Sequence, residues 1–148
     1  MSLFTDSITK IIERDLTVLE KEISLYPSES SLWIIKGKIK NSAGNLCLHL
    51  GGNLQHYIGA VLGNTNYIRT RENEFNAKGI SKQNLIAEIV QTKNTVIATL
   101  TGLSEERLEQ PYPEEVFKVP MTTTYFLIHL TAHLGYHLGQ INYHRRLL

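Results

Sequence analysis

The sequence predicts an all-α four-helix bundle, and three observations predict it. Apolar residues recur at threes and fours in four separate segments. Side chains able to cap a helix stand at the starts of the last three, and proline-rich or turn-forming stretches divide the four from one another. The 148 residues suit one domain, 1–148, with a full hydrophobic core.

The first helix is predicted over Ser2 to Tyr26, where Phe4, Ile8, Ile11, Ile12, Leu16, Leu19 and Ile23 form the apolar stripe. Pro27 ends it, because a residue before proline is biased away from helical torsions. A polar linker follows, and Leu32 to Ile39, with the single tryptophan Trp33, reads as an irregular approach. The second helix runs from Asn41 or Ser42 to about Asn64, with Leu46, Leu50, Asn53, Leu54, Tyr57, Val61 and Leu62 inward. His49 and His56 share one edge of that stripe. Cys47 is rotated about 200° from His49, which disfavours a Cys-His metal pair and makes it a small core or back-face residue.

Asn64 to Gly79 is rich in charge and turn formers and predicts a long connection with a short helical turn near Arg71 to Phe75. Its charged residues Arg71, Glu72 and Glu74 read either as a solvated run or as part of a connection that walls a site. A connection of this length exceeds what an antiparallel hairpin needs, so the second and third helices are predicted to run parallel. The third helix extends from Ser81 to about Leu100, with Gly102 ending it. Ser104 to Leu108 adds a turn, and Pro111, Pro113 and Pro120 then enforce a loop holding Tyr112 and Phe117. One of Thr122 to Thr124 caps the last helix, whose final turn carries Arg145 and Arg146.

A formal net charge of +1 without a basic block argues against nucleic acid as the main partner. One cysteine excludes an internal disulfide, and there is no apolar run of membrane-spanning length and no leader pattern. The expectation is a cytoplasmic protein with no membrane partner.

The last helix carries the chemistry. Four of the six histidines lie between Phe126 and Leu148. At about 100° per residue, Leu130, His133, Leu134, His137, Ile141 and His144 fall in one sector about 100° wide, so His133 and His137 are expected to point inward. Each buried ring without a partner costs about 1–3 kcal/mol, and a shared metal ion would compensate several at once. His133 and His137 lie one turn apart, about 6 Å, and can converge on one ion. His129 and His137 are about 12 Å apart and rotated by about 80°, too far to share it. A third ligand must come from the second helix, and the angles leave His49 and His56 tied. Such a site would be open to water or substrate, as catalytic zinc sites are. His133-Leu134-Gly135-Tyr136-His137 has the HExxH spacing, but Leu134 replaces the glutamate that metalloprotease chemistry requires. What remains is Lewis-acid activation of a water or of a soft anion such as a thiolate.

Asn41-Ser42-Ala43-Gly44-Asn45-Leu46-Cys47-Leu48-His49-Leu50, together with His133-Leu134-Gly135-Tyr136-His137-Leu138-Gly139-Gln140-Ile141, resembles the DinB-like (YfiT-like) metal-binding four-helix bundles. The resemblance spans nearly the whole chain. It implies His49, in its Asn-Leu-x-x-His-Leu setting, as the third ligand beside His133 and His137. It also implies an up-down-down-up bundle, a divalent metal such as zinc or nickel, and often a homodimer. Characterised relatives include transferases and isomerases that use low-molecular-weight thiols, so the implied partner is a small-molecule substrate, a thiol among the candidates. His56, His129, Asn53 and Gln140 are candidates for orienting the ligands or touching substrate, each with ordinary core packing or hydrogen bonding as the competing role. His144 is a further departure from the pattern. Trp33 and Tyr136 read as packing residues, and Gly135 and Gly139, opposite the histidines, as places where another helix or subunit could approach. The leading expectation is a metal-dependent thiol transferase; the alternatives are a non-catalytic metal-binding sensor or interaction domain and a purely structural bundle.

Overall fold

In the computed structural model, which describes residues 1–148, the chain forms four long helices and two short ones, and no helix is long and apolar enough to cross a membrane. Helix α1 spans Leu3–Ser24; Ile8, Ile12, Leu16, Leu19 and Ile23, spaced by threes and fours, are all buried. Ser2 caps it by accepting from the Thr5 amide at 3.1 Å. The approach expected to be irregular contains a 3₁₀ turn, Ser30–Trp33, whose Leu32 is fully buried. That burial anchors the turn, and it had no periodicity in the sequence to announce it.

Helix α2 covers 43–63, capped by Ser42, which accepts from the Asn45 amide at 3.2 Å. Its middle, Gln55–Ala60, is wound as a π-helix, and Asn64 in the left-handed conformation ends it. The connection carries α3, Arg71–Asn76; then come α4, Lys82–Thr101, and α5, Glu105–Glu109. Gly102 ends α4 as expected, and does so in a right-handed conformation. Helix α6, Thr123–Arg146, is capped by Thr122.

Each long helix packs on two others: α1 against α4 and α6, and α2 against α4 and α6. The directions follow from the residues that meet. Lys82 reaches the carbonyls of Ser24 and Tyr26, and Lys93 reaches Thr17, so α1 and α4 are antiparallel. Gly51 lies against Thr92, Gly59 against Thr95 and Gly63 against Thr99, so α2 and α4 run parallel. Tyr57 packs on Phe126 while His49 meets His133 and His137, which makes α2 and α6 antiparallel. Glu22 holds Asn142 and Arg145, which makes α1 and α6 parallel. The bundle is therefore up-down-down-up.

The parallel pair α1 and α6 is tied at one end by Tyr26. Its ring is buried; its hydroxyl lies 2.7 Å from His144 Nδ1 and 3.1 Å from the Ile141 carbonyl. The other ring nitrogen of His144 is 2.8 Å from the Ile34 carbonyl, so this histidine is a structural link. Replacing Tyr26 by Phe keeps the packing and strands these groups, and it should lower unfolding free energy by about 1–3 kcal/mol. Denaturant titration of Tyr26→Phe checks this; an unchanged midpoint would show that the link contributes nothing.

Candidate metal centre

Helix α2 brings His49 into the bundle about two turns after its buried cap, and α6 presents His133 and His137 from the opposite side. His49 is buried, whereas His133 and His137 are half-buried. The expectation that both point into the core is thus corrected: they stand at the edge of the apolar stripe, where Leu130, Leu134 and Ile141 occupy its centre. His133 Nε2 is 3.2 Å from His49 Nε2 and 3.1 Å from His137 Nε2, and one nitrogen of each ring lies within 4.8 Å of the others. Zinc bound tetrahedrally by imidazoles at about 2.0–2.1 Å separates ligand nitrogens by about 3.3–3.4 Å, so the spacing fits.

Protons support the same conclusion. The Glu74 carboxylate lies 3.1 Å from His49 Nδ1, and the Gln140 side-chain oxygen lies 2.7 Å from His137 Nδ1. Both acceptors select the Nδ1–H tautomer, leaving two Nε2 lone pairs aimed at His133. One proton on His133 Nε2 could satisfy only one of them. Burial lowers the His133 pKa to about 4, with further lowering from His137 and His49, and burial also lowers that of His137. The His133 and His137 imidazoles thus resist protonation, and the group of three could hold a metal ion in place of protons.

Glu74 comes from α3 and is buried. Burial raises its pKa, but hydrogen bonds from His49 and Arg69 outweigh that and leave it below the ordinary carboxylate value. Arg69 grips it bidentately, with both contacts at 2.9 Å. Gly52 makes room for this carboxylate, since a Cβ there would coincide with it. Asn45 fastens the short helix to α2 by donating to the carbonyls of Glu74 and Ala77 at 2.9 and 2.8 Å. Phe75 packs on the His49 ring, with centroids 4.8 Å apart. Arg69, Glu74 and Gly52 are the residues that sequence reasoning underrated. Glu74 read as part of a solvated run, and the only signal was the Gly51-Gly52 pair inside a helix, where each glycine costs about 1 kcal/mol.

The other candidates fall outside the triad. His56 lies seven residues after His49, about 10 Å along the axis, and its Nε2 faces Glu114 at 3.1 Å. His129 packs between Phe117 and Phe126, at 4.7 and 5.8 Å. The buried Asn53 oxygen has no hydrogen-bond partner, so it does not orient a ligand ring; the buried His133 Nδ1 has none either. Gln140 does orient a ring of the triad, that of His137. Tyr136, read as a packing residue, is exposed, with its ring 5.2 Å from that of His137. Cys47 is buried in the core, and burial pushes its thiol pKa far above the ordinary value, so it is no nucleophile.

Two outcomes are expected. Gly52→Ala should displace Glu74 and weaken zinc binding by about 10- to 100-fold, as Glu74→Ala should, in competition against a chromophoric chelator; wild-type affinity in both would remove Glu74 from the site. For metal-free protein the His133 pKa is lower folded than unfolded, so between about pH 6.5 and 4 the unfolded chain binds more protons. Stability should fall as pH falls through that window, and the fall should be shallower in His133→Ala; equal slopes in urea titrations would refute it.

Known proteins share this architecture. A conserved protein from Enterococcus faecalis superposes with a TM-score of 0.76 at 18% identity, covering 99% of this chain and 97% of that one. A DinB-like protein from Bacillus cereus superposes with a TM-score of 0.69 at 17% identity, covering 90% of this chain and 85% of that one. No curated protein matches in sequence. The family model for the DinB superfamily matches residues 13–141, which includes every residue of the triad and all three connections between the long helices, and the chain belongs to the DinB superfamily.

Proposed function

We propose that this protein is a metal-dependent enzyme acting on a small-molecule thiol, a low-molecular-weight thiol S-transferase, with His49, His133 and His137 holding a zinc or nickel ion. The observation that carries the reading is the convergence of the three imidazoles, with one nitrogen of each inside 4.8 Å and no fourth protein ligand in the group. An open position is what a catalytic rather than a structural site requires. The chemistry such an ion supplies is Lewis acidity, which holds a thiol as its nucleophilic thiolate at neutral pH.

The chain's own residues prepare that position. Glu74 and Gln140 hold the His49 and His137 rings by their outer nitrogens, so both offer lone pairs at a set angle. Arg69 keeps Glu74 ionised and in place. Phe75 covers the His49 ring on one side and limits water there. The second reading, a metal-binding sensor or interaction domain without turnover, is favoured by one observation: Glu74, the carboxylate at the centre, is already engaged by His49 and Arg69 and is not free as a general base. The proposal includes a homodimer and a cytoplasmic setting, both carried over from the sequence reading.

Protein purified without a histidine tag should contain about one equivalent of zinc or nickel, lost in His133→Ala and His137→Ala, and should transfer a thiol to an electrophile from a panel. A wild-type protein that cannot be loaded with either ion refutes the reading; loading without any turnover favours the sensor. Sedimentation of the same preparation at the monomer mass would refute the dimer.

A further inference from the structure

Beside the triad lies a cleft of about 730 Å³, within the range of small-molecule sites. One wall is the loop 36–41 that precedes α2, and the other is the last three turns of α6. His137 and Gln140 line it, so it opens directly on the triad. The loop contributes Lys36, Lys38 and Lys40. Their side chains are in no ion pair or hydrogen bond within the chain, and no Asp or Glu side chain lines the cleft. In a chain whose net charge is only +1, this is a local concentration of cationic side chains.

The facing wall is apolar and aromatic. On it Tyr136 and Tyr143 are 66% and 68% exposed and Leu147 is exposed beside them, while Ile39 adds an exposed apolar side chain from the loop. The faces of these rings are apolar, and here they flank a concave site rather than a flat surface. Three cations on one rim and an apolar opposite wall complement a molecule that carries a negative group at one end and an apolar body.

We propose that this cleft binds a small organic acid, a carboxylate-bearing molecule with an aromatic or aliphatic body. The lysines of the 36–41 loop take the carboxylate, Tyr136 and Tyr143 hold the body, and the far end lies beside His137. Only the last point rests on the reading of the triad as a metal site. Acid recognition rests on the loop and the tyrosines.

The test uses 2-naphthoate and its uncharged amide, 2-naphthamide, titrated into metal-free protein and followed by NMR. The acid should bind about tenfold more tightly than the amide, the scale that a few exposed charge pairs supply together. In the triple variant Lys36→Gln, Lys38→Gln, Lys40→Gln the two should bind within about twofold of one another, with the amide unchanged. Tyr136→Ala should weaken both. Equal binding of acid and amide to the wild type, or a preference that survives in the triple variant, overturns the proposal. Protein loaded with cobalt(II) then tests the position beside His137. There 3-mercaptopropionate should half-saturate the thiolate charge-transfer absorption at lower concentration than cysteamine, and the triple variant should abolish the difference. Equal half-saturation in the wild type overturns the placement. Failure of cobalt to bind counts against the metal reading alone, because the naphthoate comparison decides the cleft without any ion.

Discussion

A single buried carboxylate organises the region around the triad. Glu74 is taken out of water at a cost of several kcal/mol for an unpaired ion, and only a dense set of partners makes that tolerable. The set is present: Arg69 on two edges, His49 on one oxygen, and space cleared by Gly52. Asn45 adds the backbone fastening that keeps α3 against α2. Remove the carboxylate and Arg69 is left without its ion-pair partner, the His49 ring loses its acceptor, and α3 loses its inward anchor. The histidine geometry therefore depends on a residue that is not part of the triad.

Topology explains why such a residue is available. Two parallel neighbours in a bundle need a connection that returns along the full length of the pair, and here the parallel pair is α2 and α4. The returning segment passes across the end of α2 that bears His49, and it carries Arg69 and Glu74 with it. An antiparallel hairpin would have had no chain at that place. Small residues on α2, opposed by threonines on α4, let the parallel helices approach closely, so the crossover is held near the histidines. Fold and site are one construction at this point: the same long segment solves a connectivity problem and supplies the outer support of a ring.

The triad has two unlike surroundings. On the His49 side the ring and the Glu74 carboxylate are buried, and the carboxylate is paired with both His49 and Arg69. On the His137 side the support is an exposed Gln140, and beyond it lies the cleft with its lysines and tyrosines. Rigidity on one side and access on the other is the arrangement a site needs when it must keep its shape while exchanging a ligand. His133 joins the two, half-buried between its neighbours, and it has no partner for its outer nitrogen.

Four helices, their caps and the parallel middle pair were legible in the sequence, because helix periodicity, capping side chains and connection length are local properties. Ser42, Ser81 and Thr122 do cap where expected. The spacing of His133 and His137 was equally local, since one turn of helix sets it. The choice between His49 and His56 was not. Helix angle left them tied, and resemblance pointed to His49. In the structure His49 meets the α6 pair, because the α2 and α6 register places it opposite them and leaves His56 about two turns away beside Glu114. Glu74 was the least legible of all: nothing in a polar run of connection distinguishes a buried, bidentate carboxylate from a solvated one. Local pattern determined which elements form and which faces they bury, whereas only tertiary packing decided which polar groups lose their water, because burial depends on what a distant segment brings against them.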